Sequence, residues 1–351
     1  MTARYDADAL LRFGANLFAA AGMPRERAEI VSRFLVEADL MGHDTHGLNL
    51  APGYLAALGD GRMTPDGEPD LIADRGAALT WDGKYLSGVW LVWHAMQTAM
   101  ERVSDYGTVT VVIRGSHHIA CLATFLPVAT ERGLMMLLAS SDPATAGVAP
   151  HGSYQPVYTP NPIAVGIPTT GDPVLIDISA STTTLGLAGR LQGSGERMEG
   201  LWLIDNAGRA SDDPNVLKTD PPGAIMPLGG IDRGHKGFGL GLMVEALTSG
   251  LGGFGRADGV NRWGASVFLQ IIDPGAFGGG DAFARETGWL ADTCRSAAVA
   301  PGKPPVRMPG DGALRRKRAA LADGVALYFG IMPALRPWAD QLGVEAPQPL
   351  A

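Results

Sequence analysis

Two short histidine-containing stretches are the strongest candidates for chemistry in this sequence. The first, GHDTHGLNL at residues 42–50, carries His43 and His46 with Asp44 and Thr45 between them. Histidine has the side chain whose ordinary pKa lies nearest neutrality, so it can give and take a proton at physiological pH. Asp44 or Thr45 could orient the His46 ring. From these residues alone, an acid–base site and a helix end carrying two solvated histidines both remain open.

A metal site is a third interpretation of the same stretch. Zinc-binding helices place two histidines four residues apart with a glutamate between them, so that both ring nitrogens face one ion. Here His43 and His46 are three residues apart, glycines flank the pair, and no third ligand is evident. The spacing therefore disfavours a catalytic metal.

The second stretch is RGSHHIA, residues 114–120. It follows the most strand-like segment of the chain, residues 108–115, and precedes a predicted helix over 121–133. Turns between strands and helices often bring polar side chains to a ligand. His117 and His118 should point in different directions, so at most one of them faces a given site. A turn histidine on the surface is the alternative.

A glycine-rich segment, KGFGLGL at residues 236–242, superficially resembles a dinucleotide-binding loop. It does not fit G-x-G-x-x-G, no strong strand leads into it, and no suitably placed acidic residue follows on a second strand. The pattern is more typical of a helix packed closely against a sheet. Lys236 is expected at the N-terminus of that helix, where free backbone N–H groups would suit a phosphate or carboxylate.

Composition narrows the class of partner. The chain has 351 residues, of which 46% are hydrophobic, and a net charge of −8. That length suffices to bury a large core. The acidic balance argues against nucleic acid and anionic membranes as partners, because both would repel the protein. A small-molecule substrate fits better.

Cysteine usage and hydropathy suggest the compartment. Cys121 and Cys294 are far apart and form no C-x-x-C pattern, which argues against a disulfide framework and predicts a reducing cytoplasm. Asp6, Asp8 and Arg12 interrupt the apolar stretch that a signal peptide would need. Nowhere do 18 apolar residues run without a charge, so no transmembrane helix is expected.

The elements that must position these residues follow from apolar periodicity. Helices are predicted over 6–41 (as a hairpin), near 51–58, over 89–107, 121–133 and 235–253, and then over 281–297 and, after a Pro-rich loop, 315–330. Strands are predicted over 108–115, 134–141, 160–169, 173–181 and 265–277. Helices at both ends around a β-rich middle predict an α+β fold. Residues 76–280 would form the β-rich core, with a helical segment at 1–75 packed against another at 281–351.

Taken together, the motifs resemble those of one family. GHDTHG, SHH, SSDP…APHG, TPNPIAVGIP, LIDISAS, GAIMPLGG…HKGFGLGLMVEAL and MPGD occur in that order between about residues 6 and 330. This order is similar to that of the malate/L-lactate dehydrogenase family, which also holds ureidoglycolate dehydrogenase, diketogulonate reductase and the cyclic-imine (piperideine carboxylate) reductases. Several motifs in sequence are far more specific than any one of them.

The resemblance implies an NAD- or NADP-dependent oxidoreductase. It implies a mixed sheet peculiar to the family instead of a Rossmann fold, and a homodimer. A hydride would move between the nicotinamide and a C=O or C=N carbon of a small molecule. The absence of a usable G-x-G-x-x-G is then expected.

The family's motifs also imply roles for individual residues. Its D-S-H-G stretch gives His46 an acid–base role, with Thr45 in the serine's place. Its N-S-x-H-F-G stretch gives a proton-transfer role to His118 rather than His117, and no motif asks for a histidine at 43, so His43 is expected to be incidental. The implied substrate-binding positions are Leu50, Tyr54, Ser141 and Asn161. The implied cofactor-binding residues are Asp177, Ile178, Ser179, Ser181, His235, Lys236, Gly237, Pro309, Gly310 and Asp311.

Three positions depart from the family's pattern. Leu50 stands where the family has an arginine that binds the substrate's carboxylate, Gly53 replaces another arginine, and Leu187 replaces a lysine. A leucine cannot replace a bidentate arginine–carboxylate pair. The predicted substrate is therefore a ketone or imine that lacks this carboxylate or carries it elsewhere. The alternative is a catalytically silent member that binds a nucleotide or a partner protein.

Overall fold

The computed structural model describes residues 3–350. Within this range the α-helices are α1 Ala7–Ala20, α2 Arg25–Met41, α3 Ala51–Gly59, α4 Gly88–Tyr106, α5 Leu126–Thr130, α6 Leu185–Ser194, α7 Gly230–Glu245, α8 Gly280–Arg295, α9 Asp311–Asp323 and α10 Ile331–Leu342. The strands are β1 Arg4–Tyr5, β2 Asp70–Asp74, β3 Ala78–Asp82, β4 Thr108–Ser116, β5 Met135–Ser141, β6 Ile163–Ile167, β7 Val174–Ile178, β8 Leu203–Ile204, β9 Ala210–Ser211, β10 Ala224–Ile225, β11 Ala265–Ile272 and β12 Val325–Ala326.

A seven-stranded mixed sheet forms the centre of the fold, in the order β2-β3-β4-β11-β5-β6-β7. Only β3 and β4 pair in parallel, and every other neighbouring pair of this sheet is antiparallel. A Rossmann sheet is built from parallel βαβ units, so this topology is a different one. The predicted α+β class and the non-Rossmann mixed sheet are confirmed.

The composition of the two central strands, β4 and β11, explains why the sequence predicted both of them as strands. β4 and β11 are rich in β-branched and apolar residues, and most of their residues are buried. Such runs are typical of strands covered on both faces. α4 packs against both strands, and its buried face of Val89, Val92 and Met96 joins the main hydrophobic core.

The two ends of the chain pack together, as predicted. β1 pairs with β12, and α2 lies against α9. The ammonium group of Lys317 in α9 lies 2.5 Å from the carboxylate of Glu37 in α2. One hydrophobic core contains side chains from Tyr5 to Ala339. Division of the chain at residues 75 and 280 stays a prediction.

Some element predictions were wrong. The helix predicted over 121–133 is a short 3-10 turn followed by the five residues of α5, and Pro127 lies in the first turn of α5. α7 begins at Gly230, where Gly229 and Gly230 both adopt positive φ angles. Lys236 is therefore in the second turn of that helix and not at its N-terminus, so free N–H groups do not surround it.

In residues 3–350, no helix combines the length and apolar character that crossing a membrane requires.

Candidate active site

The loop that carries the first histidine pair, residues 42–50 (the histidine loop), is held by the end of α2. Gly42 ends that helix in the left-handed conformation, with φ of 81°. A Cβ atom on Gly47 would lie 2.4 Å from the carboxyl group of Asp39, so only glycine fits there. The backbone N–H of Leu48 donates to Asp39 Oδ2 at 2.8 Å. The carboxyl group thus ties the loop to the helix.

Asp39 is an unusual carboxyl group. It is only 8% exposed, and within the described chain its Oδ1 has no hydrogen-bond partner. Burial raises its pKa to about 7, although the N–H of Leu48 opposes that shift. The sequence alone did not single out this residue, because an aspartate inside an amphipathic helix looks like a surface position.

His46 lies in the histidine loop beside a hydroxyl group. Thr45 Oγ1 is 2.8 Å from His46 Nδ1, which fixes the ring's orientation. Burial lowers the pKa of His46 to about 4, and the charges of His43 and Arg190 act in the same direction. The imidazole is therefore neutral at pH 7 and able to accept a proton.

Asp44 does not contact His46 through a hydrogen bond. Both terminal nitrogens of Arg190 lie 3.2 Å from Asp44 Oδ1. The expectation that Asp44 or Thr45 orients the ring is therefore met by Thr45, and Asp44 instead pairs with a cation from α6.

His118 is positioned from the end of β4. The hydroxyl of Tyr54 lies 2.7 Å from His118 Nδ1, and the backbone N–H of Ala120 donates to the same nitrogen at 3.3 Å. Because Nδ1 accepts that N–H, the neutral ring carries its hydrogen on Nε2. Burial lowers the pKa of His118 to about 3, and the neighbouring histidines add to the effect.

The structure brings His46 and His118 together from distant positions in the sequence. Their ring centroids are 6.1 Å apart, with 27° between the planes. Trp263 stacks on His118 at 5.0 Å and shields one side of the pair. The arrangement provides two neutral imidazoles in one partly buried place, which suits proton transfer.

His117 points elsewhere, as the alternation of the strand predicts. It is fully buried, and neither ring nitrogen has a hydrogen-bond partner in residues 3–350. Its ring meets those of Tyr54 and Trp263 edge to face. Burial lowers its pKa to about 3. His117 thus packs behind the pair and does not join it.

A cavity of about 500 Å³ lies next to the histidine loop. Four predicted cofactor-binding residues line it: Asp177, Ile178, Pro309 and Gly310. Among the lining residues that the sequence did not point to, three carry ionisable side chains: His43, Arg307 and Arg316. Exposed arginines in a loop and a helix carry no spacing signal, so nothing in the sequence could have linked them to this cavity.

His43 and Asp177 both line this cavity, and their charges interact. That His43 is incidental to the reaction stays a prediction. Burial raises the pKa of Asp177 and lowers that of His43, while each charge partly offsets the shift of the other. Asp177 also accepts a hydrogen bond from the backbone N–H of Ala123 at 2.9 Å. The carboxyl group therefore connects the edge strand β7 to the turn that follows His118.

The remaining predicted cofactor residues do not line the cavity. Ser179 and Ser181 donate hydrogen bonds to backbone carbonyls of their own turn. Asp311 accepts hydrogen bonds from Arg295 at 2.8 Å and from the N–H of Met308 at 2.9 Å, so it ties the start of α9 to α8 and to the preceding loop. The other three lie on α7: His235, Lys236 and Gly237. The first two are exposed, and Gly237 allows α7 to approach the backbone of Leu228.

Two predicted substrate-binding residues lie in a separate polar network. Ser141 donates to Glu245 at 2.7 Å, and Asn161 reaches the same carboxylate at 3.0 Å. Arg256 closes the network on Glu245, also at 3.0 Å. Ser141 and Asn161 are almost completely buried. Their side-chain hydrogen bonds are thus already used within the protein, and a direct contact with substrate stays a prediction.

Of the other two predicted substrate positions, Tyr54 contacts the histidine pair and Leu50 packs against the main core. Tyr54 is completely buried, and its hydroxyl positions His118. Leu50 is half-buried and packs against the main core at the end of the short 3-10 turn Leu48–Leu50. This turn, LNL, carries two apolar side chains and one amide side chain.

The comparison with known proteins agrees with the architecture. A family model described as malate/L-lactate dehydrogenase matches residues 5–336. The chain belongs to this family. It is accordingly an NAD(P)-dependent oxidoreductase, with the choice between NAD and NADP open.

Three relatives illustrate the similarity. An L-lactate dehydrogenase from Cupriavidus necator is 29% identical over 339 residues, covering 95% of this chain and 96% of the relative. The solved malate dehydrogenase from Entamoeba histolytica has a TM-score of 0.93 at 23% identity, covering 99% of this chain and all of the other, which establishes the fold. A solved delta1-piperideine-2-carboxylate reductase from Pseudomonas syringae pvar. tomato has a TM-score of 0.83 at 25% identity and covers 96% and 99%.

Proposed function

We propose that this dehydrogenase moves a hydride between the nicotinamide of NAD(P) and the C=O or C=N carbon of a small substrate, with His46 and His118 handling the proton. The observation that carries the proposal is the pairing of two neutral imidazoles, His46 in the histidine loop and His118 after β4, whose ring centroids are 6.1 Å apart. The histidine loop also borders the 500 Å³ cavity through His43. The rings can take up or release the proton, and the cavity can hold the cofactor that exchanges the hydride.

The lining of the cavity fits a nucleotide cofactor. The guanidinium groups of Arg307 and Arg316 both lie close to Gly312. A Cβ atom built on this glycine would be 3.7 Å from a terminal nitrogen of Arg307 and 3.4 Å from one of Arg316. Two guanidinium groups at one backbone position suit a phosphate. Asp177 offers a carboxyl group within the same cavity. When bound, the nicotinamide supplies or accepts the hydride.

His46 is the first choice for the proton. Its pKa of about 4 leaves it neutral at pH 7, so it can accept the proton of a substrate hydroxyl or amine as that substrate is oxidised. In the reverse direction the same nitrogen returns the proton to the heteroatom. His118, held by Tyr54, is the second choice.

The substrate is proposed to be a ketone or imine whose acid group is not held at position 50. Leu50 supplies apolar surface in place of a guanidinium, and Leu187 does the same in place of a lysine. The relatives named above include an L-lactate dehydrogenase and a piperideine carboxylate reductase, so both an alcohol and an imine chemistry occur among proteins similar to this one. A homodimer in the cytoplasm completes the proposal.

The test is turnover on a defined panel. NAD(P)H binding is followed by cofactor fluorescence, and oxidation is then recorded with 2-oxo acids, ketones and cyclic imines. We expect turnover of at least one class and a loss of roughly a hundredfold or more in kcat for His46→Gln. His94→Gln, in α4, is the matched control.

Each part of that experiment tests a different claim. If the cofactor binds and no compound turns over, the protein is a silent member of the family. If His46→Gln and His94→Gln are equally active, His46 is not the acid–base residue.

A further inference from the structure

Arg190 stands out because nothing in the family's motifs assigns it a role. It is the one charged residue in the α6 sequence LGLAGRLQGS. It lies three residues after Leu187, and residues three apart share one face of a helix. Leucines therefore stand at positions 50 and 187, where the family pattern implies cations, and Arg190 places a cation one turn after Leu187 in α6.

The guanidinium group of Arg190 is held toward the histidine loop. Both of its terminal nitrogens lie 3.2 Å from the same oxygen of Asp44, two residues before His46. Its central carbon lies 4.3 Å from the ring centre of Tyr328, which supports the flat group from one side. α10, which begins three residues after Tyr328, packs against the turn that contains Leu50.

Arg190 retains capacity for another ligand. A guanidinium group has five N–H donors, and Asp44 takes two of them through a single oxygen. Its side chain is 22% exposed, so it is neither sealed in the core nor fully solvated. An arginine that is positioned and partly desolvated suits bidentate binding of a carboxylate or sulfonate.

We propose that Arg190 binds an anionic group of the substrate, in place of the arginine that is missing at Leu50. The substrate class is a carbonyl or imine compound with a carboxylate or sulfonate that points toward α6. Asp44 holds the guanidinium in place and competes with the ligand for it. This inference rests on the proposed function for the reaction, but anion binding can be measured without turnover.

The experiment measures binding of oxalate, a stable anionic analogue of a 2-oxo acid, to the enzyme saturated with NAD(P)H by titration calorimetry. Arg190→Met should weaken oxalate binding by roughly tenfold or more, and Arg190→Lys should recover part of it. Arg209→Met removes another arginine from an aspartate pair, the one with Asp205, and is the matched control. That control should leave binding unchanged.

Asp44→Asn separates a binding role from a structural one. It breaks the same ion pair but leaves the guanidinium free, so oxalate should bind as tightly as before or more tightly. If the pair only ties α6 to the histidine loop, Asp44→Asn and Arg190→Met will weaken binding equally. A Leu50→Arg change in the Arg190→Met background should restore binding in part.

The outcomes distinguish the two proposals. Where turnover is found, Arg190→Met should raise KM for the anionic substrate by roughly tenfold or more and change the NAD(P)H affinity by less than about twofold. If no compound turns over but oxalate binding depends on Arg190, the proposed reaction fails and the anion site stands. If oxalate does not bind the wild-type complex, or binds wild type and Arg190→Met alike, the anion site is refuted.

Discussion

At the residue scale, burial sets the protonation of the groups around the histidine pair. It lowers the pKa of His46 to about 4 and of His118 to about 3, and it raises that of Asp39 to about 7. All three shifts favour the uncharged form, as desolvation requires. At pH 7 the two rings of the pair are thus neutral, and the carboxyl group beneath the histidine loop is about half protonated.

Tyr54→Phe tests whether the hydroxyl on His118 Nδ1 matters for the reaction. The change removes a hydrogen bond of about 0.5–1.5 kcal/mol, so kcat/KM should fall by up to roughly tenfold with little effect on NAD(P)H binding. Steady-state kinetics with fluorescence titration measures both. Tyr154→Phe, at an exposed position, is the control and should have no effect. Equal activity of the two variants would remove Tyr54 from the site.

The raised pKa of Asp39 predicts a pH-dependent effect on stability. Between pH 3.8 and about 7 the folded carboxyl group binds the proton more tightly than the unfolded one. This contribution to stability is therefore present at low pH and declines as pH rises through that window. An amide in place of the carboxyl group, as in Asp39→Asn, would mimic the protonated form at every pH.

We therefore expect the Tm of Asp39→Asn, relative to that of wild type, to increase from about pH 5 to about pH 8. The lowered pKa values of the histidines affect both proteins alike and cancel in the difference. Any cost of burying the amide is independent of pH. Glu131→Gln, at an exposed position, provides the control and should give a flat difference. If the Tm difference between Asp39→Asn and wild type is also independent of pH, the carboxyl group is already ionised at the lower pH.

At the element scale, α7 depends on one close contact with the segment before it. A Cβ on Gly237 would lie 2.2 Å from the backbone nitrogen of Leu228 and 2.5 Å from its carbonyl oxygen. Neither atom can move aside, since the N–H of Gly237 also donates to that oxygen. In the segment whose glycines superficially resemble a nucleotide-binding loop, Gly237 therefore allows α7 to pack closely against the backbone of Leu228.

Gly237→Ala should destabilise the protein by about 1–3 kcal/mol, because the extra methyl group overpacks the contact. Gly239→Ala is the matched control on the same helix, where nothing lies within 4 Å of the added atom. Alanine is the better helix former by about 1 kcal/mol, so the control should be neutral or more stable. Thermal or denaturant unfolding compares the two. A loss of stability in both would show that the local helix and not the contact is responsible.

At the scale of the whole molecule, the sequence predicted what depends on local pattern. β4 and β11 were recognisable from continuous runs of apolar and β-branched residues. The place of β11 between β4 and β5 was not, since pairing between distant segments leaves no periodic signal. α6 and α10 were missed because three glycines interrupt the first and Pro337 lies inside the second.

The same distinction holds for the site. His46, His118 and Asp177 were predicted as site residues because family motifs mark them. Arg190 was missed because its partner Asp44 is 146 residues away, and only the fold brings the two together. Local sequence patterns cannot predict a pair of side chains that only the tertiary structure brings into contact.

Exposed apolar side chains in several elements bear on assembly. Phe329 is 78% exposed, Trp289 is 65% exposed and Leu242 is 52% exposed. Contiguous patches of such side chains mark interfaces between proteins, whereas isolated ones are normal on a monomer. We expect a homodimer, so light scattering after gel filtration should give twice the chain mass of 36.6 kDa. A mass of one chain at micromolar concentration would contradict this expectation.

The central claim is direct hydride transfer next to the histidine pair, and isotope transfer tests it most directly. The wild-type enzyme is incubated with NAD(P)H deuterated at C4 and each compound of the panel, and the products are analysed by mass spectrometry. The account predicts deuterium at the reduced carbon of at least one product, and a rate of appearance lower by roughly a hundredfold or more for His46→Gln. Bound cofactor that never delivers deuterium to any product would contradict it.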